Sequence, residues 1–306
     1  MTKVLVALST FAEYGPQPLD LLKGSGFAYA LNSSGRRLNE SEILQLGADC
    51  DGIVAGVEPY TSDVLGQLPR LKCISRCGVG TDNVDKAKAG ELGIQILNTP
   101  DPVIVPVAEL TIGMMLDLLR HITWHTQSLR SQNWQKKGGR NLQGCCVGLV
   151  GLGRIGRKVA ELLKAFEARV IGFDPHPDLG WAQKKGVELV SFENLLQQAD
   201  MVSLHVSTDK SSPFVLAEKE IRSMKPGAMI VNLARGEFID ESALYNALSD
   251  GHLAGAALDV FCKEPYTGKL CSLENILLTP HVATLTRESR LEMEKQAVEN
   301  LLRALS

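Results

Sequence analysis

Three polar side chains in the second half of the chain each come shortly after an apolar run. Arg235 follows AMIVNLA, Glu264 lies five residues beyond Asp259 and past LAGAALDVF, and His281 follows NILLTP. Such runs predict buried strands of a parallel sheet, and the carboxyl ends of these strands form the ligand crevice. We therefore expect all three side chains to face one bound molecule.

These residue types suit the oxidation of a secondary alcohol. Histidine can take the hydroxyl proton because it titrates near neutrality, and a carboxylate on its other ring nitrogen fixes the tautomer. Arginine can hold a substrate carboxylate through paired hydrogen bonds and polarise the adjacent carbonyl group. Taken singly, His281 could be structural, Arg235 a surface cation and Glu264 a turn residue before Pro265. Only their joint placement favours catalysis.

A glycine-rich motif precedes this set in the chain. Gly151, Gly153 and Gly156 form a GxGxxG pattern after the apolar run CCVGLVG and before the helical pattern RKVAELLKAF. Glycines allow backbone N–H groups to approach a pyrophosphate, and the helix N-terminus favours its charge. This context predicts a dinucleotide site, although the glycines could also serve only strand–helix packing.

Asp174 ends the next apolar run, ARVIGFD, at about the spacing of roughly 20 residues typical of dinucleotide folds. Its carboxylate would accept hydrogen bonds from the adenosine ribose and repel a 2′-phosphate. We therefore expect NAD rather than NADP as the cofactor, unless Asp174 is only a solvated strand end.

The elements that must position these residues follow an α/β pattern. Short apolar runs alternate with amphipathic stretches, which predicts two Rossmann- or flavodoxin-like domains with parallel sheets and a cofactor cleft between them. Asn39 with Glu42 indicates a capping box, Asp240 can cap the next helix of its region, and Gly251 can end it. The predicted strands are residues 3–9, 27–32, 51–56, 71–77, 94–99, 145–151, 168–174, 187–191, 201–207, 228–234, 253–261 and 275–280.

Two further stretches divide the chain. Residues 105–125 form a longer apolar-faced segment, and residues 98–100 before it indicate a hinge because the residue before proline disfavours helix. Residues 287–305 predict a terminal amphipathic helix that returns to the first domain. We expect a substrate-binding domain of residues 1–99 and 285–306, and an NAD-binding domain of residues 100–284.

Composition narrows the function classes. The 306 residues carry a net charge of -3, which gives no electrostatic case for nucleic acid or anionic lipid. No segment reaches the roughly 20 apolar residues of a membrane span. Seven scattered cysteines lack zinc-site spacing, so we expect reduced thiols, no metal and a cytoplasmic protein.

Five segments of the chain resemble the D-isomer-specific 2-hydroxyacid dehydrogenases, and among them the phosphoglycerate dehydrogenases most. They are CGVGTDNVD (77–85), GLVGLGRIGRKVA (148–160), MKPGAMIVNLARGEFIDESAL (224–244), GHLAGAALDVFCKEP (251–265) and LTPHVA (278–283). The resemblance implies that Arg235 binds substrate, Glu264 supports the histidine and His281 is the acid/base. It also implies a homodimer through the NAD-binding domain, to which residues 105–125 contribute, and a short form without a regulatory domain.

The same resemblance implies binding roles for residues that the patterns alone do not single out. Asp259 would contact the nicotinamide carboxamide, and substrate would lie against Arg76 and the backbone of Val79 and Gly80. Further cofactor contacts would come from Arg154, Ile155, Val206, Leu233 and Ala234.

Some positions depart from the family pattern. Residues 207–210 and 282–284 differ from the usual runs, and Ala55 stands where phosphoglycerate enzymes often carry an arginine. We expect an oxidoreductase that moves a hydride between NAD and C2 of a small D-2-hydroxy acid or 2-oxo acid, with 3-phosphoglycerate among the candidates. The alternatives are an NAD-gated scaffold or corepressor-like protein with little turnover and, less favoured, formate or phosphite oxidation on the same fold.

Overall fold

The computed structural model describes residues 1–206 and 216–306, so the departure noted at residues 207–210 lies outside the described residues. The chain divides into two compact units. One consists of Met1–Val103 together with Thr284–Ser306, and the other is the continuous segment Ile104–Ala283. Each unit contains its own parallel sheet, which confirms the predicted fold class.

The first unit is built on a five-stranded parallel sheet in the order β2-β1-β3-β4-β5. Its strands are β1 (Lys3–Val6), β2 (Ala28–Leu31), β3 (Gly52–Ala55), β4 (Cys73–Arg76) and β5 (Gln95–Leu97). Its helices are α1 (Gln17–Gly24), α2 (Glu40–Gly47), α3 (Ser62–Gly66), α4 (Lys86–Glu91) and α12 (Arg287–Leu305). Strand β3 is buried on both faces, as expected of a strand between covering helices.

The local signals of this unit explain its boundaries. Asn39 and Glu42 form the predicted capping box at the start of α2, and each side chain accepts from the other residue's backbone N–H. Helix α12 returns to the sheet and packs on strands β3, β4 and β5. A Cβ on Gly52 would come within 2.7 Å of Leu305, so the glycine permits this close packing.

The second unit contains a seven-stranded parallel sheet in the order β12-β11-β10-β9-β6-β7-β8. Its strands are β6 (Cys146–Val150), β7 (Arg169–Phe173), β8 (Glu188–Leu189), β9 (Met201–Leu204), β10 (Ala228–Asn232), β11 (Leu253–Leu258) and β12 (Ile276–Leu278). Its α-helices are α5 (Ile104–Arg120), α6 (Ile122–Arg130), α7 (Arg154–Ala165), α8 (Leu179–Lys185), α9 (Phe192–Gln198), α10 (Glu218–Ser223) and α11 (Glu241–Ser249). Asp240 caps α11 as predicted, and Gly251 at φ 78 follows its end.

The strand order of this unit reverses at β6, which pairs with β7 on one side and with β9 on the other. Loops that leave the carboxyl ends of these strands diverge, and the space between them is where open α/β sheets bind ligands. The glycine-rich motif lies in the loop after β6.

Residues 105–125 do not form one continuous helix. The chain breaks between α5 and α6 at His121, which has a left-handed conformation with φ 53. Asp117 accepts hydrogen bonds from the backbone and hydroxyl of Thr123, and this contact holds the break. Helix α5 buries one face in the unit, whereas α6 has no buried residue.

Candidate active site

The glycine-rich loop joins β6 to α7, and each of its glycines has a different reason to be there. A Cβ on Gly156 would come within 2.1 Å of the Gly151 carbonyl oxygen, and one on Gly151 within 2.5 Å of the His205 carbonyl oxygen. Gly151 also has φ 94, a conformation that favours glycine. Gly153 is the N-cap of α7 and faces open space, since no atom lies within 4 Å of its Cβ position. The loop therefore leaves room for a phosphate group beside the N-terminus of α7.

Asp174, at the end of β7, is tied to this loop. Its Oδ2 accepts from the Leu152 N–H at 2.7 Å, and its Oδ1 accepts from the His176 N–H at 2.8 Å. The carboxylate therefore lies beside the glycine-rich loop. A carboxylate oxygen has two lone pairs, so Asp174 retains capacity to accept from ribose hydroxyls.

His205 underlies the loop from the neighbouring strand. Its backbone N–H donates to Val150 at 2.7 Å, and its ring Nε2 lies 2.9 Å from the hydroxyl oxygen of buried Ser203. Burial lowers the pKa of His205 to about 4. The imidazole is therefore neutral at physiological pH.

The other residues expected to contact the cofactor lie near the carboxyl ends of the same strands. Arg154 and Ile155 open α7, and Val206 follows β9 by two residues. Leu233 and Ala234 follow β10, where Leu233 is buried and Ala234 is partly buried.

Arg235 is presented by a turn at the end of β10. Buried Asn232 accepts from the Ala234 N–H at 2.9 Å and donates to the Arg235 carbonyl at 2.8 Å. The guanidinium of Arg235 donates to the Ala234 carbonyl at 2.8 Å. Gly236 then passes so close to Phe261 that a Cβ would lie 1.9 Å from the Phe261 carbonyl carbon. The turn thereby packs against the segment that leads to Glu264.

Glu264 and His281 are in direct contact. The His281 Nδ1 lies 2.9 Å from the Glu264 Oε2, and the Glu264 Oε1 accepts from the Phe261 N–H at 3.1 Å. Both side chains remain partly exposed, at 48% for His281 and 38% for Glu264. With Nδ1 engaged by the carboxylate, Nε2 is the ring nitrogen left to exchange a proton with a ligand.

The loop that carries His281 is held by Asp259. This carboxylate is fully buried; it accepts from the Thr279 hydroxyl at 2.6 Å, the Val282 N–H at 2.8 Å and the Ala283 N–H at 2.9 Å. His281 lies inside this span with φ 54. The structure thus gives Asp259 a role in holding the histidine loop, which the sequence did not predict.

The GVG segment belongs to the first unit and follows β4. The Gly78 N–H donates to the Thr99 hydroxyl at 2.8 Å, and the Asn98 amide donates to the Val79 carbonyl at 2.8 Å. The Arg76 guanidinium donates to the Cys77 carbonyl, so it lies against the backbone of this segment. Val79 itself is 41% exposed.

Sequence reasoning missed the residues that hold the candidate groups rather than act on a ligand. Asn232 and Thr279 lie at strand ends next to Arg235 and His281, and Asn98 and Thr99 were interpreted only as a hinge. A short polar side chain at the end of an apolar run is the signal that could have found them.

Other kinds of site find no support in residues 1–206 and 216–306. No group of three or more His, Cys, Asp or Glu side chains there could hold a metal ion. The seven cysteines are free thiols, five of them buried. None of the helices described is long and apolar enough to cross a membrane.

Comparison with known proteins identifies the second unit. The family model for the D-isomer specific 2-hydroxyacid dehydrogenase NAD binding domain matches residues 112–283. These residues include the glycine-rich loop, Arg235, Glu264 and His281.

Curated relatives extend the similarity to most of the chain. D-3-phosphoglycerate dehydrogenase from Methanocaldococcus jannaschii is 42% identical over 259 residues, which cover 83% of this chain and 49% of that protein. The chain thus spans about half the length of that relative. Hydroxypyruvate reductase from Thermotoga maritima is 38% identical over 283 residues, or 90% of this chain and 91% of that protein.

A solved structure shares the fold over the full length. The crystal structure of the TT0316 protein from Thermus thermophilus matches with a TM-score of 0.91 and 33% sequence identity. The match covers 99% of this chain and 97% of that one.

Proposed function

Because the chain belongs to the D-isomer specific 2-hydroxyacid dehydrogenase family, we propose that it transfers a hydride between NAD and C2 of a small D-2-hydroxy acid or 2-oxo acid. The observation that carries this proposal is the contact between His281 and Glu264 on a domain of the NAD-binding type. This pair supplies the proton transfer that must accompany hydride transfer at a secondary alcohol.

The residues of the glycine-rich loop fit a dinucleotide. The open space at Gly153 and the N-terminus of α7 suit a pyrophosphate, and Asp174 suits the adenosine ribose. When bound, NAD supplies the hydride acceptor and NADH the hydride donor. Arg154, Ile155, Val206, Leu233 and Ala234 would complete the cofactor contacts, and Asp259 would reach the nicotinamide carboxamide.

His281 is the acid/base of the proposed reaction. In the oxidation direction its Nε2 takes the hydroxyl proton, and in reduction it returns a proton to the carbonyl oxygen. Glu264 holds the ring through Nδ1 and stabilises the positive charge that the ring acquires.

Arg235 is the proposed anchor for the substrate. Its guanidinium pairs with the substrate carboxylate and polarises the C2 carbonyl as negative charge develops on its oxygen. The backbone N–H groups of Val79 and Gly80 also donate to the carboxylate, and Arg76 supports them. Leaving one of these donors unpaired would weaken binding of any substrate that lacks the carboxylate.

The substrate is a 2-oxo acid with a small distal group. Two relatives act, by their names, on 3-phosphoglycerate and on hydroxypyruvate, which differ in a distal phosphate. Ala55, at the end of β3, brings no charge to the position where a phosphate-binding arginine would stand. We therefore favour an acid without a distal phosphate.

Two broader properties belong to the same proposal. We place the enzyme in the cytoplasm, where its free thiols stay reduced. We also expect a homodimer through the second unit, because Ile122, Leu129 and Trp134 expose 52%, 57% and 79% of their surface. Light scattering tests this: Ile122→Asp with Leu129→Asp should give a monomer, and a monomeric wild-type protein would contradict the dimer.

A panel of 2-oxo acids assayed with NADH tests the function. Glyoxylate, hydroxypyruvate, pyruvate and 3-phosphohydroxypyruvate should include at least one substrate whose reduction oxidises NADH. If none is reduced at protein concentrations that bind NADH, the proposed activity is wrong.

A further inference from the structure

Helix α12 contains a buried ion pair that the proposed chemistry does not use. The Arg290 Nη2 lies 2.8 Å from the Glu294 Oε1, and the two side chains are only 14% and 1% exposed. Burial raises the pKa of Glu294, so its environment does not favour the charge by itself. Charged groups this deeply buried are costly unless their hydrogen bonds are satisfied, which directs attention to their other partners.

Those partners lie at the carboxyl edge of the first unit's sheet. The Glu294 Oε2 accepts from the Ala12 N–H at 2.8 Å, in the loop between β1 and α1. The Arg290 Nη2 reaches the Thr10 hydroxyl at 3.3 Å, and its Nη1 lies 3.9 Å from the Cys77 Sγ. Cys77 directly precedes the GVG segment, so the ion pair contacts the start of that segment.

A second connection from the same helix reaches the middle of the segment. The Asn300 amide donates to the Asn98 carbonyl at 3.1 Å, and the Asn98 amide donates to the Val79 carbonyl at 2.8 Å. Beside it, the Thr99 hydroxyl accepts from the Gly78 N–H at 2.8 Å. Thr99 is fully buried, so this stretch of chain is fixed in place.

These contacts determine where the remaining N–H groups point. A trans peptide unit is planar, and its C=O and N–H point in opposite directions. Holding the Val79 carbonyl against Asn98 therefore directs the Gly80 N–H to the other side. In the part of the chain that the structure describes, neither the Val79 nor the Gly80 N–H donates a hydrogen bond.

We infer that α12 is a positioning element for substrate binding, through Arg290 and Glu294 at Cys77 and through Asn300 and Asn98 at Val79. These four residues orient the Val79 and Gly80 N–H groups toward the substrate carboxylate without contacting it. The inference rests on the proposed function of those two N–H groups. It assigns substrate affinity, rather than chemistry or cofactor binding, to residues of the last helix.

The test compares Asn98→Ala, Asn300→Ala and Arg290→Met with Lys295→Met. Lys295 lies on the same helix in a partly exposed pair with Glu292, which makes it a matched control. For each variant we would measure KM and kcat for the best 2-oxo acid, the Kd of NADH, and backbone hydrogen exchange in the peptide of residues 77–83.

Asn98→Ala should raise KM about five- to tenfold, the usual worth of one hydrogen bond, with kcat and the Kd of NADH close to wild type. Arg290→Met should raise KM as well, and Arg290→Lys should restore part of the loss. Exchange in residues 77–83 should accelerate in these variants and not in Lys295→Met. If Arg290→Met fails to fold because Glu294 is left unpaired, the two asparagine variants still decide the matter.

Folded asparagine variants with wild-type KM and unchanged exchange would overturn the inference while the dehydrogenase activity stands. If the wild-type protein reduces no 2-oxo acid, the proposed function fails separately. In that case hydrogen exchange alone decides whether α12 fixes the segment: faster exchange supports it, and unchanged exchange refutes it.

Discussion

At the scale of single residues, the account depends on the pairing of His281 with Glu264. His281→Ala removes the group that exchanges the proton, so kcat should fall by roughly two to four orders of magnitude. The Kd of NADH should change little, because the imidazole is not part of the glycine-rich loop. Stopped-flow turnover and NADH fluorescence measure the two quantities, and near-normal turnover in this variant would exclude His281 as the acid/base.

Glu264→Gln provides the matched test of the partner residue. The amide keeps the shape of the side chain and loses the charge that stabilises the protonated ring. The rate of 2-oxo acid reduction should therefore decline at a lower pH than in the wild type. An identical pH–rate profile would show that the carboxylate is only structural.

Asp174 determines the choice between the two nicotinamide cofactors. Asp174→Ser removes the negative charge at the end of β7, so binding of NADH should weaken and NADPH should become acceptable. The ratio of kcat/KM for the two cofactors measures the change. Equal wild-type values for NADH and NADPH would contradict the assignment.

The catalytic candidates could be predicted from the sequence because each follows a recognisable apolar run. Their supports could not. Asp259 is an acid just beyond a predicted strand, and nothing in its spacing indicates that it is buried with three hydrogen-bond donors from residues 279–283. Such contacts depend on the register of β11 against β12, which periodicity does not specify.

At the scale of elements, the glycine-rich loop makes a sharp prediction. Gly156→Ala would force a methyl group against the Gly151 carbonyl, so the variant should lose thermal stability and NAD binding together. Gly153→Ala meets no atom of the protein and should keep its stability, while its methyl group enters the space proposed for the pyrophosphate. Calorimetry with and without NAD separates the two effects. Undiminished NAD affinity in folded Gly153→Ala would contradict the placement of the phosphate.

His205 gives the second unit a pH dependence. Its pKa is about 4 in the folded state, compared with the ordinary value of 6.5, because burial disfavours the charged ring. The unfolded chain therefore binds the proton first, and stability present above pH 6.5 is lost as the pH falls toward 4. A shift of this size corresponds to about 3 kcal/mol. His205→Gln should flatten the fall of Tm between pH 6.5 and pH 4, and an equally steep fall in the variant would refute this role.

The order and type of elements could largely be predicted, because buried parallel strands are short and apolar and capping residues mark helix starts. The exception is the segment of residues 105–125. Its apolar face continues through His121, and the break there comes from a left-handed residue and from contacts of Asp117 that hydrophobic pattern does not reveal. Two of the predicted strands are shorter in the structure, at β8 and β12.

At the scale of the whole molecule, the chain distributes its proposed roles over two units. The continuous unit Ile104–Ala283 carries the cofactor loop and the three candidate catalytic residues, and the discontinuous unit carries the GVG segment. The alternation of strands and helices in the sequence indicates two sheets. It does not indicate the side chains of the substrate, because these are selected by a few loop residues such as Ala55 rather than by the pattern.

The most direct test of the central claim follows the transferred hydrogen itself. The wild-type enzyme is supplied with a 2-oxo acid and NADH deuterated at the transferred position, and the product is analysed by NMR and chiral chromatography. We predict a D-2-hydroxy acid with deuterium at C2, and almost none from His281→Ala. A product of the opposite configuration, a product without deuterium at C2, or equal yield from His281→Ala would contradict the account.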